Sequence, residues 1–207
     1  MAYTAFAGGT VYQGLENGRS ELTAAQAALT RGERSADPST LGQVAGQLKR
    51  AEQDFSDARA RAQQDPALRV VAGLPWSGGQ LDATVHLAAI GTNLSRAGEG
   101  AAAVAQQVAS LHKQYSSRAL SADDLQAILN QADGIAAAYK GSIAQIGTEL
   151  RAAHAERAQV TTTGLVPPLQ QAYNEVDRAL DDADAGFVRY QDVRAVLSDL
   201  LGVSLTG

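Results

Sequence analysis

The chain has 207 residues, enough for one ordinary domain or two very small ones. It is 45% hydrophobic and only 5% aromatic, with Ala at roughly a fifth of its positions, which favours closely packed helices over a β-sandwich. A net charge of -5 argues against nucleic acid as a partner, and the absence of Cys removes disulfides, thiol nucleophiles, zinc knuckles and iron–sulfur clusters together.

Hydrophobic periodicity is helical nearly throughout. A first segment, Thr10 to Arg31, repeats Leu15, Leu22 and Leu29 at seven-residue spacing, with Val11, Gly18 and Ala25 as a companion row. Arg31-Gly32 supplies a closing cation and a glycine for a left-handed cap. Asp37-Pro38-Ser39 opens a second helix, whose rows are Leu41, Leu48, Phe55, Ala62 and Val44, Ala51, Ala58. Asp65-Pro66 ends it.

A short apolar patch over Leu68 to Val71 leads into the turn Gly73-Leu74-Pro75-Trp76-Ser77-Gly78-Gly79. This turn holds the sole Trp. Trp76 and Pro75 are the candidate contacts, either for a partner or as the plug of a bundle end.

Leu81 to Tyr115 shows the cleanest pattern, with Leu87, Ile90, Leu94, Ala97, Ala101, Val104, Val108, Leu111 and Tyr115 spaced 3-4-3-4. Ser121-Ala122-Asp123-Asp124 is an N-cap with an acidic first turn, and a fourth helix follows toward Val160. Gly134, Gly141 and Gly147 within it mark bends or tight helix contacts. Pro167-Pro168 starts a fifth helix along Leu169, Tyr173, Val176, Leu180, Ala183 and Phe187. Its phase slips before Val193, Leu197 and Leu200, so a kink or break is expected near Gly186. The fold class expected is all-α: an elongated antiparallel bundle of about five long helices with heptad packing.

Sites of chemistry are sparse. His86, His112 and His154 lack the i, i+3 or i, i+4 spacing of ligands on one helix face. Asp177, Asp181 and Asp184 share a face, but without a Gly-bearing calcium loop they read as an acidic solvent face. No Walker loop, nucleophile elbow or dinucleotide fingerprint occurs. Neither catalytic residues, nor a metal site, nor a cofactor is assigned. Ala-rich seams are expected to leave little room for a small-molecule pocket. No eighteen apolar residues run together, so a membrane span is not expected within the chain.

Phe55 and Ala58, then Asp65-Pro66-Ala67-Leu68, Leu74-Pro75, Gly78 and Gln80-Leu81, lead into a long Ala-rich helix. This order resembles the membrane-proximal helical region of a bacterial envelope-protein family of unknown function. In that family a single N-terminal membrane helix precedes such a bundle. A domain distantly similar to the LytR–CpsA–Psr glycopolymer transferases follows, and Leu200-Leu201-Gly202-Val203 resembles its junction.

The resemblance implies a juxtamembrane stub or flexible N-terminus at 1–9, a helical bundle at 10–201 and a linker to a downstream domain at 202–207. It implies an extracytoplasmic, non-catalytic spacer, scaffold or oligomerisation module, whose partners are its neighbouring domain or itself. Membrane attachment would come only through a preceding helix. The alternative is a ligand-sensing bundle similar in shape to chemoreceptor ectodomains, with Arg118, Asp123 and Asp124 converging near one turn.

Overall fold

The computed structural model describes residues 2–35, 37–73, 77–115 and 121–190. Six helices, and no strands, occur among them: α1 (Ala2–Ser35), α2 (Pro38–Gln64), α3 (Pro66–Ala72), α4 (Gly78–Tyr115), α5 (Ala122–Gln159) and α6 (Pro167–Tyr190). The protein is an all-α bundle of five long helices and one short one.

Local signals set most boundaries. Asp37 caps α2 by accepting the Ser39 amide at 3.1 Å, with Pro38 in the first turn, where its missing N–H costs nothing. Asp65 works twice: its backbone closes α2, while its Oδ1 accepts the amides of Ala67 and Leu68 at 2.8 and 3.3 Å and so starts α3. The apolar patch at 68–71 therefore lies in a helix of its own, with Leu68 buried beneath it. Ser121 and Asp124 complete a reciprocal capping box at α5. After α5, Gly164 takes φ +81°, the left-handed conformation that the tight turn toward Pro167 requires.

Three boundaries differ from expectation. Helix α1 starts at Ala2 and runs through Gly32 to Ser35, so Gly32 is no cap. One internal glycine costs a helix only about 1 kcal/mol, and the decisive stop is the Asp37–Pro38 cap of the next helix. Helix α4 starts at Gly78, three residues before Leu81. Helix α6 is unbroken through Gly186 to Tyr190, while Val193, Leu197 and Leu200 lie outside the described residues.

Close pairs fix the helix directions. Gly14 faces Ala58 and Gly18 faces Phe55, making α1 and α2 antiparallel. Gly42–Gln106, Gly98–Leu48 and Gly91–Phe55 set α2 against α4, and Gly100–Ile146 with His86–Glu156 sets α4 against α5. Gly147–Phe187 and His154–Asp184 set α5 against α6. Helices α1, α4 and α6 thus point one way, and α2 and α5 the other.

Helix α4 is the axis. Besides Leu87, Ile90, Leu94 and Val104 it buries Ala83, Ala88, Ala89, Gly91, Ala102, Ala105 and Ala109, which spread around its circumference. A helix packed by several neighbours at once needs small residues so that they can approach together. Its buried Thr92 and Ser95 hydroxyls donate to the carbonyls of Ala88 and Gly91 one turn back. The rows read for α2 are buried in full: Leu41, Val44, Leu48, Ala51, Phe55, Ala58 and Ala62.

Candidate functional site

Helices α1 and α6 border one face of α4 without packing on each other. No Cα of one comes within 8 Å of the other, closer than which directly packed helices would bring several. Two side-chain straps cross the gap. Arg19 Nε reaches Glu175 Oε2 at 2.9 Å, and Gln26 Nε2 donates to Asp182 Oδ2 at 3.0 Å. Arg19 and Gln26 are seven residues apart on α1, as are Glu175 and Asp182 on α6, so the straps lie two turns apart along parallel helices.

Beneath the straps runs an apolar trough. Its inner part is a cavity of about 380 Å³, walled by Leu22, Ala25 and Leu29 of α1 and by Ala179, Ala183 and Phe187 of α6. Leu94, Ala97, Gly98 and Ala101 of α4 form the floor, and Leu48, Ile146 and Leu150 close the sides. A cavity of about 570 Å³ continues it toward Tyr12, Leu15, Pro168 and Leu169. The two share Leu22, Gln26, Ala179 and Asp182.

The expectation of little pocket space is thereby corrected. Ala and Gly at the facing positions of α4 and α6 occupy too little volume to fill the space between helices held apart by their separate seats on α4. Leu15, Leu22 and Leu29, which read as a core row, stand half-buried along this trough. The companion row Val11, Gly18 and Ala25 is the one fully buried, against α2.

The other side of α4 is polar. Glu156 of α5 lies 2.6 Å from His86 Nδ1 and 3.5 Å from Arg59 of α2, so one carboxylate ties three helices. Higher up, Arg96 donates to Glu52 at 2.7 Å. Glu99, next to this pair, has its carboxyl pushed above the usual range by burial first and then by the charge of Glu52, with Lys49 and Arg96 opposing. One Glu99 oxygen is buried without a hydrogen-bond partner.

The histidines do not assemble. His86 pairs with Glu156, His154 with Asp184 at 2.7 Å, and His112 keeps a buried Nδ1 with no partner. Of the carboxylates read as a solvent face, Asp181 is exposed, while the partly exposed Asp177 and Asp184 also pair across helices with Arg157 and His154. No group of three metal-capable side chains occurs among the described residues. Of the residues proposed to converge near one turn, Asp124 is engaged in the α5 capping box, and Arg118 lies outside the described residues. Trp76 and Pro75 also lie outside them. Gln80 donates to the Gly164 carbonyl at 2.7 Å and accepts the Val166 amide at 3.0 Å, joining the start of α4 to the α5–α6 turn.

Sequence reasoning missed the straps because Arg19, Gln26, Glu175 and Asp182 are ordinary polar-face residues in one dimension. Their shared seven-residue spacing becomes a signal only once α1 and α6 are known to be parallel neighbours. No family model matches the chain, and no curated protein or solved structure is detectably similar to it. No helix among the described residues is long and apolar enough to cross a membrane.

Proposed function

We propose that the chain is a non-catalytic spacer or scaffold that orients or oligomerises a neighbouring domain of a bacterial envelope protein, on the outer side of the membrane. The supporting observation is mechanical: α4 and α5 are unbroken helices of 38 residues each, roughly 57 Å long at 1.5 Å per residue. With α4 packed against the other helices, bending the bundle requires moving several packed seams at once. The polar side of α4 adds ties through Glu156 and Glu52. The envelope setting comes from the loop motifs quoted above.

The test is an in-frame deletion of residues 10–201 from the gene, followed by envelope fractionation and native-gel analysis of the product. Loss of assembly is expected, with recovery when an unrelated antiparallel bundle of equal length is inserted. Unchanged assembly after the deletion, or failure of the unrelated bundle to restore it, overturns the spacer role.

A further inference from the structure

We propose that the trough between α1 and α6 binds a single unbranched alkyl chain whose head group is neutral and carries hydroxyls. The proposal does not rest on the spacer reading, since a stiff bundle needs no cavity along its length.

Length comes first. The trough follows α1 from Tyr12 to Leu29, about 25 Å at 1.5 Å per residue. A bilayer core of about 30 Å holds two acyl chains end to end, so one chain of roughly 15 Å fits with space for its head. Tyr12, 51% exposed, lines the wider cavity and leaves apolar surface beside it, where a chain would enter.

Width then selects the occupant. A helix with its side chains is about 10–12 Å across, and seating one would break both the Arg19–Glu175 and Gln26–Asp182 straps. A hydrocarbon chain lies beneath them. The lining suits it: Leu22, Leu94, Ala97, Ala101, Leu150 and Phe187 offer no polar side-chain atom.

The rim selects the head group. Glu16, Glu175 and Asp182 stand there with Arg19 and Arg178. Arg19 is engaged by Glu16 and Glu175, and the Arg178 Nε donates to the Asn174 carbonyl. The one hydrogen bond of Asp182 among the described residues comes from the neutral Gln26 amide. This carboxylate has acceptor capacity for hydroxyls, and with three carboxylates against two guanidiniums the rim as a whole disfavours a further carboxylate.

The experiment titrates the full chain by calorimetry with 1-myristoylglycerol and with myristate, each below its aggregation threshold. Saturable one-to-one binding of the glyceride is expected, at least tenfold tighter than myristate. Ala179→Phe, placed where the two cavities join, should weaken it about fiftyfold, equivalent to roughly three methylenes expelled from the trough. Ala155→Phe, on the exposed face of α5, should not. Asp182→Asn should bring myristate to the affinity of the glyceride. Should Ala179→Phe fail to fold, a nitroxide-labelled glyceride and the wild-type chain decide the matter: the methyl signals of Leu22, Leu94 and Leu150 should broaden. No saturable binding, an Ala179→Phe variant with undiminished affinity, equal or tighter binding of myristate by the wild type, or broadening confined to other methyls overturns the assignment.

Discussion

The Phe55 ring of α2 lies so close to Gly91 of α4 that a Cβ there would sit 2.7 Å from three ring carbons. Gly18 of α1 holds the other contact, with its own hypothetical Cβ 3.0 Å from the same ring. The ring is therefore clasped between two glycines on different helices and has nowhere to retreat. Gly91→Ala should destabilise the fold by about 1–2 kcal/mol: overpacking costs about 1–3, and the better helix propensity of Ala returns up to about 1. For a chain of this size that is a fall in melting temperature of roughly 2–8 °C. Phe55→Leu in the Gly91→Ala background should recover part of it, so a double-mutant cycle should be clearly non-additive. Additive losses would mean that the ring does not fill this notch.

This clasp shows what the sequence conveys and what it withholds. Phe55 belongs to a heptad row legible from spacing alone, and all seven members of the two α2 rows are buried. Gly91 reads as a place where a neighbouring helix can approach and Gly18 as a small member of a row, but the ring that makes both necessary comes from another helix. The central place of α4 was hidden likewise: an Ala-rich helix with one good stripe looks amphipathic, and only the packing shows that its remaining Ala and Gly face neighbours too. The trough was least legible, since Leu15, Leu22 and Leu29 have the spacing of a core seam whether or not a helix fills the space before them.

Gly134 and Gly141 differ from Gly147 in a way that spacing does not reveal. A Cβ at either of the first two meets nothing within 4 Å, whereas at Gly147 it meets the Phe187 ring at 3.0 Å. Of the bends or tight contacts expected at these glycines, a tight contact is made at Gly147 and not at Gly134 or Gly141. Gly134→Ala with Gly141→Ala should stabilise the protein by up to about 2 kcal/mol, because both are exposed helix-interior sites. Thermal unfolding should shift upward by at most roughly 4–8 °C, while Gly147→Ala should gain less or lose. A drop in the double variant would show that these positions face a partner.

Glu99 should make the protein less stable as the pH rises. Its carboxyl is raised in the folded state by burial and by Glu52, so the folded protein holds this proton more tightly than the unfolded chain does. The associated stability is fully present below the unfolded value near 4.5 and is lost as pH climbs through the folded value. Glu99→Gln keeps a donor for Glu52 and removes the charge. It should raise the melting temperature at pH 7, and its advantage over the wild type should vanish below about pH 4.5. An equal advantage at pH 4 and pH 7 would tie the gain to something other than ionisation.

Asp37 has the opposite sign and a different window. Hydrogen bonds from the side chain of Thr40, then from Ser39, hold its carboxyl down at about 2, against an ordinary 3.8. The unfolded chain therefore takes up the proton first on acidification. The stabilisation of the α2 cap is complete above the unfolded value and fades as pH falls through the folded one, between about 4 and 2. Asn is as good a cap as Asp but carries no titrating charge. Asp37→Asn should leave the protein folded and helical at pH 7, with a shallower loss of stability between pH 4 and pH 2, read by urea unfolding at each pH. Asp37→Ala should lower stability at pH 7 and show the same shallow acid limb, because both the cap and its titration are gone. If the acid limb of Asp37→Asn instead matches the wild type, the Thr40 and Ser39 hydroxyls do not hold the carboxylate in solution, and the start of α2 is set by Pro38 alone.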